Sequence, residues 1–210
     1  NSTDAALTTN HALSLGNVTV GVGNLTVVAA GNITQVANAS VNVVGGDASF
    51  NATNGAITLG NAGNAFNGTV SLANTGANNV TVRNNLPLTL GNVTIPAGKL
   101  SAISAGNVSQ ASGTTISMSG NATTASFNAV NGSIDLSNAN AFGGVVSLTN
   151  NGAFDVDLTN NVALKLGNVS VGSGNLSVTA NNGNITRAAN VTLTVNGAVS
   201  AQATNGTVNL

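Results

Sequence analysis

Short alternations of apolar and polar residues recur along the whole chain, and turns rich in Gly and Asn separate them. Alternation with a period of two is typical of β-strands, because successive side chains of a strand point to opposite sides. The flanking Val, Ile or Leu of each triplet is therefore expected to point into a core, and the middle Thr, Ser or Asn to point outward. The clearest triplets are Leu25-Thr-Val27, Val41-Asn-Val43, Ile57-Thr-Leu59, Val70-Ser-Leu72, Val80-Thr-Val82 and Leu88-Thr-Leu90.

The chain repeats itself with a period of 75 to 76 residues. The string Leu15-Gly-Asn-Val18 returns as Leu90-Gly-Asn-Val93 and as Leu166-Gly-Asn-Val169. Because the chain starts and stops inside the repeat, we expect it to be a window cut from a longer array. The predicted parts of one continuous solenoid are the end of a truncated preceding repeat (1–12), repeat 1 (13–87), repeat 2 (88–163) and a partial repeat 3 (164–210).

A shorter internal match indicates the length of one coil. Gly31-Asn-Ile33-Thr resembles Gly55-Ala-Ile57-Thr and, more weakly, Asn78-Asn-Val80-Thr, at offsets of 24 and 23 residues. The simplest interpretation is an all-β parallel β-helix with about three coils of about 25 residues per repeat, in which strands of successive coils pair at roughly 4.8 Å. Four coils of about 19 residues per repeat are the alternative that the same period allows.

The stacked coils predict which side chains fill the core. About eight or nine coils are expected, with the Phe side chains as the largest fillers among many small residues. The residues expected to point inward are Leu25, Ile33, Val41, Ile57, Val70, Val80, Leu88 and Val93, together with Phe50, Phe66, Phe127 and Phe142.

Composition supports ordered β-structure. Charged residues make up 4% of the chain, against about 25% in ordinary soluble domains. Disordered segments combine low hydrophobicity with high net charge, whereas this chain is 42% apolar with a net charge of −1. Its 37 Asn and 26 Gly residues suit tight turns, and stacked Asn side chains can hydrogen-bond along a solenoid axis.

Several classes of partner are excluded by the same composition. The charged residues are spread along the sequence, so no footprint for nucleic acid or anionic membrane is expected. No apolar run reaches the roughly 18–20 residues of a membrane-spanning helix, and the chain is not expected to span a membrane. Cysteine is absent, which excludes disulfides and thiolate metal sites.

Four segments of the chain, 64–72, 76–82, 88–95 and 100–110, resemble repeats of filamentous-haemagglutinin-like adhesins. These are large bacterial surface proteins of the two-partner secretion type. The resemblance implies a right-handed parallel β-helix, export through an outer-membrane secretion partner, an extracellular location at the bacterial cell surface, and a role in adhesion, biofilm or extracellular matrix. It implies no site residues, because the secretion and receptor-binding regions of that family lie outside such repeats.

The internal copies argue against a catalytic role for the single histidine. Leu86 and Val162 stand at the positions that correspond to His11. Nucleophilic catalysis needs a base that is held by a third group, and the chain has no second histidine. His11 is expected at the surface or rim, no catalytic residue is predicted, and the chain is not expected to be an enzyme.

No cofactor or metal site is predicted either. Asp155 and Asp157 lie two residues apart on an expected strand, an arrangement that can serve acid–base chemistry or hold calcium. Thr81 and Ala6 replace Asp157 in the other copies, so a solvated face is the expected role. The string Gly45-Gly46-Asp47 lacks the continuation of a calcium-binding nonapeptide, and a turn is expected there.

Other short motifs predict turns and surface positions. Gly21-Val-Gly23 and Gly172-Ser-Gly174 precede strands, unlike a phosphate-binding loop, which leads from a strand into a helix. The basic residues are each replaced by a neutral residue in another copy and are predicted to be interchangeable surface positions. They are Arg83, Lys99, Lys165 and Arg187.

The glycosylation acceptor pattern Asn-x-Ser/Thr occurs 17 times. A chain rich in Asn, Ser and Thr produces this pattern by chance, although modification of some sites stays open. Examples are Asn17, Asn24, Asn32, Asn92, Asn107 and Asn168.

Two functional hypotheses follow. The first is a structural rod or fibre segment of a secreted adhesin or matrix filament, whose partners are neighbouring repeats or identical chains stacked end to end or laterally, with a host or cell-surface receptor engaged by the whole protein. The second is a solenoid face that directly binds carbohydrate, a surface or ice through rows of hydroxyls. The candidate threonines for that face are Thr19, Thr26, Thr58, Thr81 and Thr89.

Overall fold

The chain folds into strands and turns. The computed structural model describes residues 3–121 and 123–210, and within these ranges there is no helix. The strands are rich in Val, Ile and Thr, which favour extended backbone, and Gly and Asn occupy the corners. In chain order the strands are β1 Ala5–Thr9, β2 Leu13–Leu15, β3 Val18–Val20, β4 Leu25–Ala29, β5 Ile33–Gln35, β6 Val41–Val43, β7 Ala48–Ala52, β8 Ile57–Leu59, β9 Ala65–Phe66, β10 Thr69–Asn74, β11 Val80–Asn84, β12 Leu88–Thr94, β13 Lys99–Ser104, β14 Val108–Gln110, β15 Ile116–Met118, β16 Thr124–Ala129, β17 Ile134–Phe142, β18 Val145–Asn150, β19 Val156–Asn160, β20 Leu164–Val171, β21 Leu176–Ala180, β22 Ile185–Arg187, β23 Leu193–Val195, β24 Val199–Ala203 and β25 Val208–Asn209.

Two long parallel sheets run the length of the molecule. The front sheet has the order β1-β4-β7-β10-β12-β14-β17-β19-β21-β24, and the back sheet has the order β2-β5-β8-β11-β13-β16-β18-β20-β22-β25. Each coil adds one strand to each sheet in parallel pairing, so the molecule has ten levels, from level 1 (β1, β2) to level 10 (β24, β25). The predicted all-β parallel β-solenoid is confirmed, with nine steps between the first and last levels.

One continuous core lies between the two sheets. All eight aliphatic residues that were predicted to point inward are at most 1% exposed, and so are the four predicted Phe side chains. Phe50 packs edge-on against Phe66 with 5.9 Å between ring centroids, and Phe127 packs in the same way against Phe142. The alternation of apolar and polar residues therefore predicted the inside and the outside of the strands correctly.

Some coils have a third strand on a narrow edge of the rod, and this edge changes from one repeat to the next. We call the edge where the chain passes from front to back the outgoing edge, and the other the return edge. In repeat 1 the return edge carries a three-stranded ladder of β3, β6 and β9. In repeat 2 the corresponding strands are the last residues of β12 and β17 with β15 between them, and they lie on the outgoing edge.

This change of edge arises because one repeat contains three coils, as predicted, and a further half coil. Successive coils advance by 20 to 26 residues, as in the pairs Leu13↔Ile33 and Val108↔Ile134. Residues at the same position of the repeat therefore alternate between sheets: β2 lies in the back sheet, its counterpart at the start of β12 in the front sheet, and the start of β20 in the back sheet again. Consecutive repeats are related by a half turn about the rod axis.

Candidate functional surfaces

The corners of the solenoid are built from stacked Asn and Asp side chains. At one corner the Asn24 Oδ1 accepts a hydrogen bond from the backbone N–H of Asp47 one coil further on, at 2.8 Å, and the Asp47 Oδ1 accepts from the N–H of Thr69 at 2.7 Å. Each side chain thus satisfies a backbone donor that the strand ladder leaves free at the turn.

This corner geometry explains why glycosylation acceptor patterns are so frequent. In the six examples named above the Asn occupies a corner, the middle residue is an inward side chain at the start of a strand segment, and the Ser or Thr is the first outward one. In all six examples named above, the Asn Oδ1 accepts the backbone N–H of a residue one coil further on, at 2.8 to 3.0 Å. At these corners the pattern therefore serves folding.

Buried amides form a second set of contacts, which sequence analysis did not predict. Asn64 is fully buried, accepts from Gln35 Nε2 at 2.6 Å and donates to Gln35 Oε1 at 3.0 Å. Asn140 and Gln110 form the same reciprocal pair in repeat 2, at 2.9 and 2.8 Å. Gln35 and Gln110 stand at equal positions of the repeat, and so do Asn64 and Asn140, and this double recurrence is the sequence signal that pointed to the pair.

Two further buried amides close the ladders of edge strands. After β11, only the short turn 85–87 connects the back sheet to the front sheet along the return edge. The coil that follows β9 therefore has no edge strand there to pair with the backbone of Phe66. The Asn84 side chain fills this place: its Oδ1 accepts from the Phe66 N–H at 2.8 Å, and its Nδ2 donates to the Phe66 carbonyl at 2.9 Å. Asn160 makes the same two bonds to Phe142, at 2.8 and 3.1 Å.

The candidate acidic pair does not form one site. Asp155 precedes β19 at a corner, where its Oδ1 accepts from the N–H of Asn175 at 2.7 Å. Asp157 lies within β19 and points outward, and its register partner in the coil below is Asp135. Burial raises the pKa of the Asp157 carboxyl, the Ser177 hydroxyl lowers it, and the negative charges of Asp135 and Asp155 raise it further.

The raised pKa predicts a small pH dependence of stability. Between the ordinary value of 3.8 and the higher value in the fold, the folded chain retains a proton that the unfolded chain has lost, so the free energy of unfolding falls as pH rises through this window. Asp157→Thr, which installs the residue of the copy at Thr81, is expected to raise the denaturation midpoint at neutral pH, and only slightly, because solvent screens a carboxylate that is only partly buried. The gain should vanish below pH 3.8. An equal gain at both pH values would contradict the assignment.

The remaining singled-out residues are surface or turn positions. His11 is exposed in the turn between β1 and β2, and its backbone N–H donates to Thr9 Oγ1 at 3.2 Å. Gly45 and Gly46 form a turn, and a Cβ at Gly46 would overlap the backbone carbonyl of Gly23 in the coil below. Close stacking of corners therefore requires glycine there, which accounts for this motif without calcium.

The nine charged side chains are separated by sign between the two sheets, although they are spread along the sequence. The four basic residues belong to back-sheet strands, and the five acidic residues lie within or directly before front-sheet strands. The basic set is Arg83 (β11), Lys99 (β13), Lys165 (β20) and Arg187 (β22), and the acidic set is Asp4 (before β1), Asp47 (before β7), Asp135 (β17), and Asp155 and Asp157 (before and in β19). Eight of the nine are exposed, and Asp157 is partly buried.

The five candidate threonines do not share a face. Thr19 lies on the edge strand β3, Thr26 and Thr89 on the front sheet, and Thr58 and Thr81 on the back sheet. Of these, Thr58 and Thr81 are register partners. They begin a column of five hydroxyl residues in consecutive levels of the back sheet, which continues through Ser101, Ser126 and Ser147.

The described part of the chain lacks both a cluster of metal ligands and a membrane-spanning helix. Within residues 3–121 and 123–210, no group of three or more His, Asp or Glu side chains is placed to hold a metal ion. The same ranges contain no helix of the length and hydropathy needed to cross a bilayer.

Comparison with known proteins gives one family. The family model described as "Repeats of unknown function (DUF5649)" matches residues 2–73, 77–149 and 153–210. The three matches begin 75 and 76 residues apart, which is the period found in the sequence. No curated protein and no solved structure matches the chain.

Proposed function

The chain belongs to the DUF5649 family of repeats of unknown function, and from its continuous solenoid fold we propose that it is a segment of a structural rod. The observation that carries this proposal is what the copies share: inward triplets, corner Asn residues and buried amide caps, all of which serve stacking. The charged positions, by contrast, differ between copies, except for the position that Asp4 and Asp155 share. A chain selected for chemistry would keep reactive groups at fixed geometry.

We also propose which kind of protein contains the rod and where that protein is located. We place it in a secreted, adhesin-like bacterial surface protein or matrix filament, exported through an outer-membrane secretion partner and projecting a receptor-binding region elsewhere in the protein. The resemblance of 64–110 to filamentous-haemagglutinin-like repeats supports this setting. So does the scarcity of charge, because stacked copies carry little mutual repulsion.

Deletion of residues 88–163 tests the rod. Leu164 corresponds to Leu88, so the junction after Pro87 preserves the repeat. The shortened chain is expected to fold and to lose about 17 Å of length, from three and a half coils at roughly 4.8 Å each, as measured by small-angle X-ray scattering. In the whole protein on cells, adhesion should persist with a shorter reach.

One observation favours a second function, direct binding along a face. The column of hydroxyls that includes Thr58 and Thr81 presents one hydroxyl per level at the spacing of the coils. The double variant Thr58→Val and Thr81→Val removes hydroxyls of this column without changing the length of the rod, and it is the matched control for the deletion. If this variant folds and is displayed on cells but no longer adheres, the result would support the binding-face function over the spacer function.

A further inference from the structure

The half turn between repeats shows that the separation of charges by sign follows the sheet and not the position in the repeat. Asp135 and Asp157 on the front sheet correspond to Thr58 and Thr81, which lie on the back sheet. Asp4 and Asp155 share one position in two copies that both face the front, and the intervening copy, Asn79, lies on the back and is neutral.

The basic residues obey the same rule with the opposite sign. Lys165 lies on the back sheet, and its counterpart Thr89 lies on the front. Arg187 lies on the back, and its front-facing counterpart is Gln110. Copies of one repeat position thus carry an acid only where that position faces front and a base only where it faces back.

We propose that a second copy of this chain docks with its basic back sheet on the acidic front sheet of the first. The two charged surfaces point away from each other within one molecule, so opposite charges can meet only between molecules. The net charge of −1 shows that the two faces nearly balance. A front-on-back contact is heterologous and leaves a free front and a free back, so it propagates to further copies.

The strands of the front sheet carry no basic residue that could balance the negative charge of its acidic residues. Asp135 and Asp157 are direct register partners in neighbouring levels, and Asp155 lies just before the same strand as Asp157. Like charges placed side by side repel, and a cationic face laid over them removes that cost. Burial raises the pKa of the Asp157 carboxyl in the isolated rod, and the negative charges of Asp135 and Asp155 raise it further.

The docking contact gains its strength from the number of ion pairs that form along the rod. A single exposed ion pair contributes little, because water and salt screen it. Along a rod the pairs act together, since docking of one pair brings the others within reach. The association is therefore expected to be weak for this chain and to fall steeply with salt.

Two charge-reversed variants test the docking. Arg83→Glu with Lys165→Glu leaves two acidic and two basic residues on the back sheet and so cancels its net positive charge, and Asp135→Lys with Asp157→Lys lowers the net charge of the front sheet from −5 to −1. Neither pair touches the corner ladders. Sedimentation of each variant alone at about 0.01 M salt, where the Debye length is about 30 Å, should show at least about tenfold weaker self-association than the parent chain. An equimolar mixture of the two should associate again, because an acidic face then meets a basic one. The parent should dissociate at about 1 M salt.

The control adds negative charge on the return edge, with Asn85→Glu and Asn131→Glu, and should leave association unchanged. Association that survives both face variants and high salt would overturn the proposal and point to pairing at the rod ends. A parent chain that stays monomeric but binds vesicles of anionic lipid through its back sheet would overturn it in favour of a membrane surface. The rod proposal is judged separately, by the length of the deletion variant.

Discussion

Ile57→Asp is expected to unfold the coils around level 3. Ile57 is fully buried in β8, between its register partners Ile33 below and Val80 above. The substitution removes a core side chain, which costs about 2–5 kcal/mol, and buries a carboxylate without a partner, which costs several kcal/mol more. Because each coil contacts only its neighbours, the damage should concentrate at levels 2 to 4. Hydrogen exchange of β5, β8 and β11 should rise far more than that of β20 and β21.

The matched control is Thr58→Asp, one residue further on. Thr58 is exposed, and Asp135 occupies the corresponding position of repeat 2, also exposed. This variant should change the free energy of unfolding by less than about 0.5 kcal/mol. Because burial raises the pKa of a carboxyl, the defect of Ile57→Asp should shrink in acid, where the group is neutral. Equal protease sensitivity of the two variants at neutral pH would show the inward and outward assignment to be wrong.

The sequence predicted the strands and their inner faces because both depend on local alternation. Leu25 and Ile33 each lie between a corner Asn and an outward Thr, and alternation with a period of two then allows only one side of the strand to be buried. The half coil was not predicted, since a front triplet such as Leu25-Thr-Val27 and a back triplet such as Ile57-Thr-Leu59 are chemically alike. Only pairing between coils distinguishes the two sheets.

The buried amides and the charged faces could not be predicted from the sequence, for related reasons. With 37 Asn residues in the chain, nothing local separates Asn64 and Asn84, which are buried, from Asn85, which is exposed. The burial of Asn84 depends on the missing edge strand above Phe66, a feature of levels and not of neighbours in sequence. The charges looked scattered because a linear comparison of copies ignores the half turn that sends one position alternately to the front and the back.

Asn84→Leu is expected to open the top of the edge ladder in repeat 1. The Asn84 side chain is 1% exposed, makes both hydrogen bonds of the Phe66 backbone, and donates to the Pro87 carbonyl at 2.8 Å. Leucine has a similar volume and excludes water, so the Phe66 N–H and the two carbonyls lose their partner. Each buried group left unpaired costs about 1–3 kcal/mol, and a total loss of roughly 3–5 kcal/mol follows. The amide of Phe66 should show the largest gain in hydrogen exchange.

Asn85→Leu provides the comparison, because it makes the same chemical change one residue later on an exposed side chain. It should leave both the unfolding midpoint and the exchange of Phe66 nearly unchanged. Asn160→Leu should reproduce the effect at Phe142, since the half turn carries the same cap to the outgoing edge. If Asn84→Leu destabilised the fold no more than Asn85→Leu does, the Asn84 side chain would not be replacing the hydrogen bonds of a missing strand. The ladder would then end without a cap, and the place where each edge strand stops would be set by the length of the turns alone.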